Sequence, residues 1–300
     1  MLVDLLQNTV EGLANGAAYA LIALGFTLMF GVLGKLNLAY GAVIMIGLYA
    51  GAYAHLRWQA GWGVAAVVAV CGAVVAGIYV ERACFAPMRR GGAMASMVAS
   101  FAIWMQLEEV AMLVLPRHSY PVPALGDGTV IHLGPVLLRS EHLLMLVIAV
   151  GVMVILEWVV HGSRFGLGLR AIAENPRAAK FVGRNVGHTL FLACVLASAV
   201  GGIAGWLIVS ADQQVSGMFG MWATFKGLVA AMLGGFGSLR GAVAGGLLLG
   251  VIEAQALWLF GPQIRDLSAY LLLFLLLVLR PGGLFGQTRA LRDAAAHRRL

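Results

Sequence analysis

Nine apolar runs decide what this 300-residue chain can fold into. They lie at roughly residues 13–33, 36–55, 64–80, 93–115, 142–160, 189–210, 222–233, 241–260 and 267–279. Most approach the ~20 residues that carry an α-helix across the hydrocarbon core of a bilayer. Inside that core every backbone N–H and C=O must find a partner within the protein, and a helix satisfies its own. Composition agrees. Hydrophobic residues make up 61% of the chain and charged residues only 11%, against about 25% charged in a soluble domain. Mean hydropathy is +0.91. The 40 glycines fit as well, because small residues let membrane helices approach closely. The chain reads as a single all-α polytopic membrane domain over 1–300, with eight or nine membrane segments.

The net charge of +7 comes mainly from bases gathered at 82–90, 164–184 and 289–299. Basic loops favour the cytoplasmic side, so all three are expected there, together with the tail at 287–300 and the C-terminus. The segment at about 116–140, punctuated by Pro116, Pro121, Pro123, Gly126, Gly128, Gly134 and Pro135, then falls outside. Within it, 129–133 has the composition of a small hairpin strand. The parity of the first three runs leaves the side of the N-terminus open. The opening residues MLVDLLQNTVEG carry no basic n-region and no cleavage site, so no removable signal peptide is expected. No basic stripe is interleaved with exposed aromatics, which excludes nucleic acid as a partner; the partner the bases face is the lipid bilayer. Cys71, Cys84 and Cys194 show no metal-ligand spacing or pairing and read as small buried hydrophobes.

One polar stretch, about 162–187, separates two strongly apolar runs and carries its own helix signals. Asn175 is a good N-cap. Pro176 follows at the first helical position, where its missing N–H costs nothing. Gly183 supplies the left-handed residue that ends the helix. A helix of two turns is unstable alone in water, so it needs a partner surface. Ala178, Ala179, Phe181 and Val182 are the apolar residues available for one.

Catalytic motifs are missing. The only lysines, Lys35, Lys180 and Lys226, end no G-x-x-x-x-G-K-[ST] run, so no phosphate-binding loop exists. Gly166 to Ala171 matches G-x-G-x-x-A, but a membrane run rather than a strand precedes it. No cofactor, metal site or enzyme activity is expected. If transport is active, its energy comes from a partner or an ion gradient. The latter would make the chain a secondary transporter; a membrane enzyme would need a convergent acid–base or metal constellation that the sequence lacks. Two glycine breaks echo each other: Gly31 to Gly34 before Gly41-Ala-Val43, and Gly234 to Gly237 before Gly241-Ala-Val243. Paired interrupted segments suggest an internal repeat and point to a translocation path. Asn37, Gly41, Gly234, Gly237 and Glu253 are the candidates for lining it. Glu253 serves equally as an interhelical tie. Glu108 and Glu109 lie either at the outer interface or on the path. Lys226, near the start of a run, is expected to snorkel to the interface.

The residues also resemble a family. Gly12-Leu-x-Asn15-Gly16-Ala-x-Tyr19-Ala20, with Gly25, Thr27, Phe30 and Gly31, followed by Asn37-Leu-Ala39-x-Gly41, is similar to the opening of the LivH-type permeases of branched-chain amino acid ABC transporters. Phe165 to Ala179, Gly234 to Gly246 and Arg280 to Gly286 resemble three later motifs of that family in the same order. The resemblance covers nearly the whole chain and implies one transmembrane permease domain of a heteromeric inner-membrane importer. It implies as partners a LivM-type permease, two cytoplasmic ATP-binding subunits and a periplasmic substrate-binding protein. The helix at 175–182 would then be the coupling helix, with Arg170, Glu174, Asn175, Pro176, Ala179, Phe181 and Gly183 coupling to the ATPase. Two departures, at Leu38-Ala39-Tyr40 and across 117–132, leave branched-chain amino acids, other small amino acids, urea and short amides open as substrates.

Overall fold

A computed structural model describes residues 2–90, 92–115, 119–126, 129–133, 136–280 and 282–285. The tail at 287–300 lies outside these residues, as do parts of the 116–140 segment. Eleven α-helices follow one another: α1 (Leu2–Leu33), α2 (Tyr40–Trp58), α3 (Trp62–Val80), α4 (Ala93–Val114), α5 (Ser140–Gly162), α6 (Arg164–Glu174), α7 (Pro176–Phe181), α8 (Val186–Asp212), α9 (Phe219–Gly234), α10 (Leu239–Phe260) and α11 (Arg265–Leu279). Two small antiparallel ribbons complete the fold. β2 (Val130–Leu133) pairs with β3 (Val136–Arg139), the hairpin expected around 129–133, and β1 (Ser119–Pro121) pairs with β4 (Gln214–Ser216), tying the 116–140 segment to the α8–α9 connection.

Among the described residues seven helices, not eight or nine, are long and apolar enough to cross a membrane: α1, α3, α4, α5, α8, α10 and α11, the last with the short turn before it. The difference falls on α2 and α9. α9 has only 16 residues, and α2 carries His55 and Arg57 in its last turn. Both are wrapped by other helices and buried along most of their length. A helix lined by protein rather than lipid need be neither long nor uniformly apolar.

α1 is the axis of the bundle. It runs antiparallel to α10, Gly12 facing Val251 and Ala254 while Gly31 faces Gly237. The seam is made of missing side chains. A Cβ on Gly250 would lie 2.3 Å from the Gly16 Cα, and one on Gly246 would lie 2.4 Å from the Ala20 Cα. Such contact is the main source of helix association in lipid, where apolar side chains gain nothing by leaving the solvent.

α2 and α9 start inside the bundle. Tyr40, at the head of α2, donates its hydroxyl to the Ala197 carbonyl at 2.8 Å, partway along α8, and packs against Gly25, partway along α1. At the head of α9, Trp222 packs edge-on against Tyr19 with ring centroids 5.6 Å apart. The two heads touch, since a Cβ on Gly41 would sit 2.0 Å from the Gly220 carbonyl oxygen. Both glycine breaks turn on left-handed residues, Gly34 (φ 62°) in one and Gly235 (98°) and Gly237 (88°) in the other. The broken pairs pack crosswise, α1 on α10 and α2 on α9.

Gly250→Ala is expected to lower the thermal midpoint of the detergent-purified protein, because one added methyl overpacks the seam at about 1–3 kcal/mol. Gly151→Ala on α5, where no atom lies within 4 Å of the added Cβ, should leave the midpoint unchanged or slightly raised. Thermal melts of the two variants side by side check this.

Candidate functional site

The polar stretch after α5 folds into two consecutive helices, one of them not anticipated from sequence. The Ser163 hydroxyl accepts from the Gly166 N–H at 3.0 Å and starts α6. Gly166 and Gly168 weaken the local helix signal, yet Gly166 has a packing reason and Gly168 meets only ordinary contact. A Cβ on Gly166 would meet the Val160 carbonyl at 2.1 Å, and one on Gly168 would meet the Arg184 guanidinium at 3.4 Å. The G-x-G-x-x-A match is therefore a closely packed helix. Leu169 and Ile172 are buried on its inner face, a spacing of three that was the available signal.

Asn175 ends α6 in an extended conformation and caps α7, its side-chain oxygen accepting from the Ala178 N–H at 3.1 Å. Pro176 opens α7, and Gly183 at φ 82° ends it. Ala179 is only 5% exposed and turns toward the protein's own helices, so it anchors α7 and is not available to a partner. Phe181 and Val182 are 92% and 83% exposed. Glu174 is also exposed. Arg170 donates to the His161 carbonyl at 3.3 Å, bracing α6 and α7, together a lever, against the end of α5, while Arg184 donates to the Arg164 carbonyl at 3.2 Å and ties the chain after α7 back to the start of α6. The lever sits at the end of the molecule where α1 stops: Thr27 and Gly31 share a cavity with Leu169 and Arg170. The start of α1 is at the opposite end.

A second polar centre lies toward that opposite end. Lys226 on α9 does not snorkel; it is 1% exposed. Its ammonium donates to Glu253 on α10, which is 2% exposed, and to Asp266 on α11 at 2.8 Å. Arg265 donates to Glu253 at 3.3 Å and to the Tyr19 hydroxyl at 2.8 Å. Tyr19 in turn donates to Glu253 at 3.2 Å. Two cations, two carboxylates and the Tyr19 hydroxyl thus tie four helices together, Glu253 acting as the interhelical tie. The partners of Lys226 lie 27 and 40 positions away in sequence, so no local pattern reveals them. Cavities of about 290 Å³ and 480 Å³ flank the cluster, the first reached by Glu253 and Arg265 and the second lined by Asp212, Asp266, Trp222 and Tyr270.

The five candidate path residues do not form one site. Asn37 is 3% exposed; its side-chain oxygen accepts from the Ala39 N–H at 3.1 Å and its amide meets the Met29 sulfur at 3.5 Å, so it shapes the first break. Gly41 lets α2 touch α9. Gly234 lets α9 cross α10, where a Cβ would sit 2.0 Å from the Gly241 carbonyl oxygen. Gly237 lines the cavity beside the lever, at the far end from Glu253. The closing motif, which sequence left without a role, finishes the second break: Leu284 and Phe285 donate their N–H groups to the Leu233 and Gly234 carbonyls at 2.9 and 3.0 Å. Among the described residues no group of three or more His, Cys, Asp or Glu is placed to hold a metal ion.

Long apolar helices around two buried ones, an internal ion cluster and a capped lever with an uncovered apolar tip define a multi-pass membrane transport subunit. Residues 8–279 match the family described as branched-chain amino acid transport system / permease component, and the chain belongs to that family. It is 32% identical to the high-affinity branched-chain amino acid transport system permease protein BraD of Pseudomonas aeruginosa, over 94% of this chain and 96% of that one. It is 29% identical to the corresponding LivH protein of Escherichia coli strain K12, with the same coverage. The structure of PsaBC from Streptococcus pneumoniae in complex with Fab shares the fold, with a TM-score of 0.54 at 13% identity over 94% of each chain. The family is one of transport permeases, not of enzymes.

Lys226→Met leaves Glu253 without its closest cation in a buried setting, which costs about 3–5 kcal/mol. The single variant is expected to give little folded protein by size-exclusion chromatography. Lys226→Met combined with Glu253→Met removes both charges and should recover much of the yield.

Proposed function

We propose that this chain is the membrane-spanning permease subunit of an ATP-binding-cassette importer that moves branched-chain amino acids across the inner membrane. The observation that carries this reading is the lever. A six-residue helix, capped at both ends and braced from behind, ends in two exposed apolar residues, on a chain with no nucleotide-hydrolysis motif of its own. Such a surface is built to be gripped. Two cytoplasmic ATP-binding subunits would take α7 into a groove, with Phe181 inserted and Arg170, Glu174, Asn175, Pro176 and Gly183 setting its position. Closure of the ATPases would then shift a two-state membrane bundle between outward- and inward-facing arrangements. This puts α6, α7 and the C-terminus in the cytoplasm and the start of α1 outside. A LivM-type second permease and a periplasmic substrate-binding protein complete the assembly. The substrate follows from the two full-length relatives named above; urea and short amides are the competing cargoes within the same family.

The buried ion cluster is the feature that favours a gradient-driven carrier instead. Its carboxylates, however, already face Lys226 and Arg265, which leaves no unpaired acid in it to load with a proton.

Phe181→Asp places a charge where an apolar contact is expected, and a buried unpaired charge is strongly unfavourable. The variant should insert normally, fail to co-purify with the ATPase subunits and lose uptake at least about tenfold, the factor for roughly 1.4 kcal/mol. Retained co-purification with retained uptake contradicts the assignment of α7. Competition by leucine, isoleucine and valine, and none by urea or acetamide, in the same uptake assay supports the substrate.

A further inference from the structure

Two neighbouring cavities, the first reaching the base of the lever, lie on one flank of the bundle away from the ion cluster. The first, about 290 Å³, lies at the lever end and is lined by Thr27, Arg170, Gly237, Ser238 and Arg240. The second, about 210 Å³, is lined mainly by Leu24, Val150, Met153, Leu156 and Val243, with the Glu157 carboxylate at its Arg240 side. Leu239 and Arg240 line both, so the two lie side by side along a groove between α1, α5 and α10. Its two ends differ in chemistry.

The lever end is basic. Arg170 spends one N–H on the His161 carbonyl. Arg240 directs its Nε to Glu157 at 3.4 Å, and both residues of that pair are more than half exposed. Two guanidiniums against one carboxylate leave a net positive charge and several free donors. The start of α10, a 22-residue helix, adds its partial positive charge there. The Thr27 side chain is 2% exposed and its hydroxyl has no hydrogen-bond partner. The other end is apolar and opens outward: Val150 and Val154 on its rim are 48% and 62% exposed. Trp158, 70% exposed one turn before the end of α5, marks the depth at which aromatic side chains meet headgroups.

We infer that this groove holds an anionic phospholipid, its phosphate between Arg170 and Arg240 and one acyl chain along the floor formed by Leu24, Met153 and Val243. A basic pocket between membrane helices on the cytoplasmic side is a recognised headgroup site, and the apolar continuation distinguishes a lipid from a free anion. Arg170 belongs to the base of the lever and Arg240 follows the second glycine break, so the bound phosphate joins the two. The choice of leaflet rests on the cytoplasmic placement of α6 proposed above; binding itself does not, and can be tested in detergent.

The full-length chain, delipidated in detergent, is titrated by native mass spectrometry with phosphatidylglycerol, with phosphatidylcholine of the same acyl chains, and with inorganic phosphate. Phosphatidylglycerol should be retained severalfold better than phosphatidylcholine and should not be displaced by phosphate. Arg240→Gln should weaken its retention about fivefold, the worth of one arginine at an anionic surface. Val243→Trp, which fills the floor and keeps both arginines, should weaken it as well. Equal retention of the two lipids, displacement by inorganic phosphate, or unchanged retention in either folded variant overturns the inference. The comparison of the two lipids needs only the unsubstituted chain, so it decides the matter even if a variant does not fold.

Discussion

The close approach of α1 to α10 is the contact on which the rest of the architecture hangs. Where Gly16 meets Gly250 and Ala20 meets Gly246, no side chain separates the backbones. In lipid this replaces the hydrophobic effect as the reason for two helices to stay together. With α10 fixed, Glu253 comes within reach of Tyr19, and the ion cluster can gather Lys226, Arg265 and Asp266 around it. With α1 fixed, its far end reaches the second glycine break and the base of the lever. One antiparallel seam thus links a polar centre toward one end of the molecule to the α6–α7 lever at the other.

Burial of α2 and α9 follows from the same arrangement. Helices that start partway through a bundle leave their first backbone N–H groups without intrahelical partners. The structure meets this need locally at α2, with the Thr224 hydroxyl accepting from the Gly41 N–H at 3.2 Å; at the other end of α9 its last carbonyls, equally without intrahelical partners, accept N–H groups of the closing motif. Side chains and breaks that look decorative in sequence are here the means of terminating helices away from water. Lys226 belongs to the same logic. A cation in the interior is tolerated because two carboxylates meet it, and an isolated one would be expelled.

Much of this was legible in the amino-acid sequence, but unevenly. Apolar runs located most of the long helices to within a few residues, although α1 begins at Leu2 rather than near residue 13 because its first turns, with Asp4, Gln7, Asn8 and Glu11, are polar; Asn175, Pro176 and Gly183 defined α7, because capping is chemistry between near neighbours. The small ribbon at 130–139 was also visible as a strand pattern. α6 was not, since Gly166 and Gly168 argue against a helix until the α5 backbone that Gly166 packs on is known. Nor could apolarity separate lipid-facing from protein-facing helices, which is why α2 and α9 were counted as spans. The ion cluster stayed hidden for a different reason. Its members come from four helices, and a lone lysine near the start of a run has the same local context whether it snorkels or is buried.

The proposal that other subunits grip the capped lever, and so work the chain as a gate, is open to a direct measurement. The chain is reconstituted in proteoliposomes alone, and in parallel with its second permease, ATP-binding subunits and substrate-binding protein. Leucine uptake is then followed with ATP inside the vesicles, and separately with a proton or sodium gradient. Accumulation by the full assembly only when ATP is present, with none by the chain alone under any gradient, is the expected result. Concentrative uptake by the lone chain driven by an ion gradient would contradict it.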